Sequence, residues 1–185
     1  MENASSPKIH QPESAAASGR TFASKPPRRY TTKQMGDAAE MLVAAELTLA
    51  GVPALKVPDM WPGYDVIAQP INRPLQRISV KSSVLRTSNF VSYYTFDSFD
   101  WLAAVIMPDG PGQRQIYIIP RDVADAQARR DREGSKTAEQ RYFEPIHISK
   151  WFGHYLNNFR LEHEGTGTSV LPTDTSPEPE AGLEV

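Results

Sequence analysis

Two short runs carry residues able to do chemistry together: Gly63-Tyr64-Asp65-Val66-Ile67-Ala68 and, after a turn, Arg77-Ile78-Ser79-Val80-Lys81-Ser82-Ser83. Both have the β-branched make-up of strands, with Asp65 beside the first apolar residues of one and Lys81 between small polar residues of the next. Neighbouring strands can aim a carboxylate and an ammonium at one point, which suits metal-dependent phosphodiester cleavage. A third acid, Glu40, falls on a helix in a stripe with Val43, Ala44 and Leu47 rather than on a charged face. It either points into a cleft or accepts a hydrogen bond from packed backbone. Each residue also has an ordinary reading: Asp65 as a turn residue, Lys81 as an exposed strand lysine, Glu40 as a partly exposed helix acid.

The elements that must position these residues follow from local pattern. Thr31-Thr32-Lys33-Gln34 reads as a capping box, with Tyr30 and Met35 placed as a hydrophobic staple. The helix it opens runs to about Ala50, where Gly51 and Pro53 end it. Strands are expected over Val52–Val57, Tyr64–Ala68 and Gln76–Ser83, the last two forming an antiparallel hairpin across Pro70–Pro74. In the third strand Ile78 and Val80 face one way, and Arg77, Ser79, Lys81 and Ser83 the other. Arg86–Asp100 reads as loop with a short strand or helical turn near Phe96–Phe99. The apolar run Trp101–Met107 reads as a strand buried on both faces, with Gln115–Ile119 as its partner. A helix is expected from Pro120 to about Arg132, an edge strand over Tyr142–Ile148, and a closing helix capped by Ser149 whose Trp151, Tyr155, Leu156 and Phe159 form an apolar stripe.

Composition bounds the rest. A chain of 185 residues with 39% hydrophobic residues supports one modest core. Residues 1–30 are expected to be a disordered basic arm and 163–185 a disordered acidic tail, flanking a domain over 31–162, because neither end has the large aliphatic side chains needed to offset chain entropy. Residues 1–33 carry six basic groups against Glu2 and Glu13, whereas residues 162–185 carry six acids and no Lys or Arg. Lys25-Pro-Pro-Arg-Arg-Tyr30 has the clustered cations that bind a phosphate backbone by releasing counterions, or else is a solvated linker. With no Cys, disulfides and thiolate metal sites are excluded, and His10, His147, His154 and His163 lack ligand spacing. Any metal is therefore expected to be a hard, oxygen-bound ion. The longest apolar run falls far short of the roughly 20 residues a membrane span needs, and no export signal is evident, so the expectation is a cytoplasmic protein without membrane contact.

Taken together, Glu40, Gly63-Tyr64-Asp65-Val66-Ile67 and Ile78-Ser79-Val80-Lys81-Ser82 resemble the PD-(D/E)xK nuclease superfamily, in particular small members similar to archaeal Holliday junction resolvases and restriction-endonuclease-like domains. The resemblance covers roughly Gln34 to Pro120. It implies an α/β fold with a restriction-endonuclease-like αβββαβ core, a central mixed β-sheet flanked by helices. It also implies a Mg²⁺- or Mn²⁺-dependent endonuclease acting on DNA, with RNA and homodimerisation left open. Residue by residue, Glu40 resembles the helix acid, Asp65 the metal-bridging acid and Lys81 the catalytic lysine. Asp65, Glu40 through water and the Val80 backbone carbonyl would hold the ion. Arg77, Ser82, Ser83 and Arg86 are candidate phosphate contacts.

The departure is Ser79, where the pattern calls for an acid, and a neutral hydroxyl is a much weaker ligand for a hard cation. A nuclease fold that binds nucleic acid or a protein without cutting is thus the alternative, and an interaction protein working through its charged ends is a third. Asp59 follows a proline, as in the family's literal motif, but falls in a turn, so Asp65 is preferred.

Overall fold

The computed structural model describes residues 30–85 and 89–163. Arg86, the acidic tail beyond His163 and all but the last residue of the expected basic arm lie outside them. Helix α1 (Thr32–Leu49) opens the fold. The Gln34 N–H donates to the Thr31 hydroxyl at 3.2 Å and the Thr31 N–H donates to Gln34 Oε1 at 2.8 Å, which is the reciprocal capping box. Gly51 follows at φ 86°, in the left-handed conformation that closes helices. The buried stripe of α1 is Met35, Ala39, Val43, Ala44 and Leu47. Leu49, which helical periodicity places on the side of Met35 and Ala39, is exposed because it lies in the last turn of the helix.

Three antiparallel strands follow: β1 (Ala54–Lys56), β2 (Val66–Ala68) and β3 (Gln76–Val84), the first two shorter than their sequence patterns suggest. The connection from β3 onward carries β4 (Val91–Tyr94) rather than a helix. Strand β5 (Trp101–Met107) then returns parallel to β3, and β6 (Gln115–Pro120) pairs with it antiparallel. The result is a mixed five-stranded sheet ordered β1-β2-β3-β5-β6. Six of the seven residues of β5 are buried, because both faces of the sheet are covered there.

One cover is α1, whose Ala39, Val43 and Leu47 pack with Val66, Ala68, Ile78, Val80, Ala103 and Val105. The opposite face, through Leu102, Ala104, Ile106, Tyr117 and Ile119, packs against Val91, Tyr93, Phe143, Ile148 and Phe152. These come from a second, three-stranded sheet and the helices beside it. After α2 (Arg121–Gln127), β7 (Arg129–Arg130) and β8 (Gln140–Phe143) join β4 in the order β4-β8-β7, and α3 (Pro145–Phe152) follows. The molecule is therefore α/β, a mixed central sheet flanked by helices. Among the described residues no helix is long and apolar enough to cross a membrane.

Two expected helices differ. The one predicted to reach Arg132 ends at Gln127, because Ala128 is extended (ψ 137°) and the chain pairs as β7. The closing helix begins at Pro145 rather than at Ser149: proline fits the first helical turn, where its missing N–H has no intrahelical acceptor. It ends at Phe152, and a 3₁₀ turn over Gly153–Tyr155 and Asn157 at φ 56° divert Phe159 from its stripe.

Candidate functional site

Asp65 lies one residue before β2, where the hairpin with β3 is irregular. Its N–H donates to the Ile78 carbonyl at 2.9 Å, although Ile78 is the register partner of Val66. Two residues thus oppose one, which is a β-bulge, and bulges re-aim side chains. The Asp65 carboxylate turns in to accept the Val80 N–H at 2.6 Å, and the Ser79 hydroxyl donates to the same oxygen at 3.4 Å. A hydrogen bond to an ionised acceptor is among the stronger kinds, so Asp65 is fixed in place. In an extended strand a residue's N–H and C=O point to the same side, so the Val80 carbonyl is also directed toward β2.

Asp65 lines a cleft of about 500 Å³ with Glu40 of α1 and the loop joining β1 to β2. Glu40 receives the Lys56 ammonium at 2.9 Å, and Lys56 also reaches Asp59 at 2.6 Å. Lys33 bridges Asp59 at 2.8 Å and Asp37 at 3.0 Å. Asp37, Glu40 and Asp59 offer carboxylate oxygens within 4.8 Å of one another. Hydrogen bonds from Lys33 and then Lys56, reinforced by their charges, lower the Asp59 carboxyl to about 2. The same contacts raise both lysines: Asp59 first and then Glu40 for Lys56, Asp59 and then Asp37 for Lys33.

The structure brings Glu40 and Asp65 to one cleft but does not bring Lys81 to its walls. Ile78 and Val80 pack under α1, so by strand alternation Lys81 projects from the opposite face, where its register partner Ala104 belongs to the second cluster. No carboxylate pairs with Lys81 among the described residues. The face expected to be polar is largely covered, with Ser79 1% exposed and Ser83 buried; Ser82, which alternates onto the other face, is half-buried. Arg77 is committed elsewhere. Its guanidinium donates to Asp100 at 2.7 and 3.1 Å and to the Ser98 hydroxyl at 2.5 Å, and its backbone N–H donates to Asp100 at 2.8 Å. Burial acts to raise the Asp100 carboxyl, but these hydrogen bonds and the Arg77 charge outweigh it and hold the group below the usual carboxylate range.

Three participants escaped sequence reasoning. Asp37 had a legible signal, since it precedes Glu40 by three residues and shares its helix face. Lys33 had one too, as the i,i+4 partner of Asp37 on α1, but the meeting of Lys33 and Lys56 on Asp59 depends on the folded path of the loop.

The molecule is thus an α/β protein with an acid-lined, lysine-bridged cleft at the mouth of the β2–β3 hairpin. No family model matches the chain, and no curated protein does. Among solved structures it is similar to a bacterial homing endonuclease, with 20% identity over 71% of this chain and 90% of that one and a TM-score of 0.47. It is also similar to a Holliday junction resolvase from the archaeal hyperthermophile Archaeoglobus fulgidus, with 13% identity over 62% of this chain and 91% of that one and a TM-score of 0.37. Neither likeness is close enough to bear on what the cleft does, which has to come from its own residues.

Proposed function

We propose that this protein hydrolyses phosphodiester bonds in DNA with the help of Mg²⁺ or Mn²⁺, using the cleft between α1 and the β2–β3 hairpin. The observation that carries this reading is the Asp65 carboxylate, pinned on the Val80 N–H beside Glu40, one residue before Lys81 in sequence. The donors fit a hard divalent ion, because the acids of the cleft offer carboxylate oxygen and neither thiolate nor imidazole. Asp65 and Glu40 would hold it, with the Val80 carbonyl as a neutral donor and Asp37 and Asp59 near by. Bound there, such an ion offsets charge on the phosphate and makes water a better nucleophile at neutral pH. Ser79 is a donor to Asp65 rather than a ligand of comparable strength. Lys81 would stabilise charge developing on a phosphate laid across the end of the sheet, and Ser82 and Arg86 would contact neighbouring phosphates, whereas Ser83 is buried and Arg77 is held on Asp100.

A second reading, a protein that binds DNA without cutting it, is favoured by one specific observation. Lys33 and Lys56 already neutralise three of the acids, so a divalent ion must compete with two ammonium groups. The test is a cleavage assay with full-length protein on linear, branched and single-stranded DNA and on RNA, with Mg²⁺ or Mn²⁺ titrated in. Cleavage that requires the ion, and is lost in Asp65→Ala and Lys81→Ala, supports hydrolysis. Salt-sensitive binding with every substrate left intact under both ions rejects hydrolysis and leaves the binding reading.

A further inference from the structure

The loop between β1 and β2 holds large apolar side chains in water beside the proposed site. Met60 is 98% exposed and Trp61 is 48% exposed, and the Trp61 ring stands edge-on to Tyr64 with centroids 6.2 Å apart. All three line the cleft that contains Glu40 and Asp65. The loop is braced, so these side chains are presented rather than merely left over. Asp59 is held by two lysines, and the Trp61 N–H donates to the Pro58 carbonyl at 3.2 Å. Gly63 lies at φ 87° with its α-carbon so close to Ser98 that an added Cβ would stand 2.8 Å from the Ser98 nitrogen. Met60 itself holds φ 68°, a conformation that non-glycine residues adopt at a cost.

A half-exposed indole on a braced loop has ring surface free for another flat ring. Bases in a continuous duplex are stacked on one another and offer a protein only their edges, whereas unpaired bases offer a π-face that an aromatic side chain can take. We infer that Trp61 stacks on an unpaired nucleobase, so that the substrate class is DNA with unpaired nucleotides, single-stranded or at a branch, rather than continuous duplex. This rests on the phosphodiester reading above and names the substrate of the same cleft.

The test is binding at low salt in EDTA, where no metal-dependent cutting takes place. Full-length protein is titrated into a dye-labelled single-stranded oligothymidylate and into a dye-labelled blunt duplex of equal length with affinity read from dye anisotropy, and tryptophan fluorescence is read in a parallel titration with unlabelled oligonucleotides. The Trp61→Phe variant reports the background from Trp101 and Trp151. The single strand is expected to quench wild type and the duplex to leave its emission unchanged. Trp61→Ala should weaken single-strand binding about tenfold or more, while Trp61→Phe, which keeps an aromatic face, restores it. Thermal unfolding of each variant shows that the fold is intact. Equal single-strand affinity in wild type and Trp61→Ala overturns the inference, and so does preference for the duplex. Quenching that rises with protein concentration in the absence of oligonucleotide also overturns it, by assigning the ring to a second copy of the chain. Because metal is absent, a negative cleavage assay and a negative stacking assay are separate outcomes.

Discussion

Asp59 accepts hydrogen bonds from Lys33 and Lys56, and its carboxyl consequently falls from 3.8 to about 2 while both ammonium groups rise above 10.5. For a depressed acid, the stabilisation is present above the unfolded value and is lost as pH falls through the folded one. For a raised base, it is fully present below the unfolded value and is lost as pH rises through the folded one. The cluster should therefore contribute evenly between about pH 4 and pH 10 and fade on both sides. Thermal unfolding midpoints of wild type and Asp59→Asn across pH 2–9 check the acid limb. The two curves should be offset above about pH 4 and converge as pH falls toward 2, and an offset that does not shrink would remove the link to this carboxylate. At the residue scale, sequence made Asp65 and Glu40 legible because both interrupt an apolar pattern. Asp59 was set aside as a turn residue, and a turn it is. What composition and spacing could not convey is that this turn folds back onto α1.

The elements were legible wherever one physical signal dominated. The capping box at Thr31, the buried run Trp101–Met107 and the β2–β3 hairpin all appear where side-chain pattern places them. Reading failed where a backbone constraint competed with side-chain periodicity, as at Pro145, which starts α3 four residues before the serine expected to cap it. It also misplaced the short strand expected near Phe96–Phe99, which forms at residues 91–94 because it pairs there with β8 far along the chain, a contact that local pattern does not reveal. The loop carrying Asp59 and Trp61 depends on a single glycine. In Gly63→Ala the new methyl group meets the Ser98 backbone and the residue must hold φ 87°, so two penalties combine. The expected loss is about 2 kcal/mol or more in urea-induced unfolding at neutral pH. Ala at Gly36, where nothing lies within 4 Å of the added Cβ, is the control and should be neutral or mildly stabilising. Equal stability of the two variants would mean that the loop is not braced at Ser98.

At the scale of the whole molecule, the five-stranded sheet separates two sets of groups. Glu40 and Lys56 meet on the α1 side, Lys81 projects on the side of the second sheet, and the Asp65 carboxylate grips the Val80 backbone at the end of β2. That partition implies a distinctive pattern of energetic coupling. Substitutions that share no partner add in folding free energy, so Glu40→Gln and Lys81→Ala should combine to within about 0.5 kcal/mol of their sum. Groups acting on one transition state do not add in rate, so the same pair should fall well short of additivity in cleavage. A double-mutant cycle run on both quantities tests this, and strong coupling in stability would place Lys81 against Glu40 within the folded protein. On the proposed reading the sheet would act as a partition that only a bound strand bridges, and the two sets of groups would become thermodynamically aware of each other when a phosphate lies across its end.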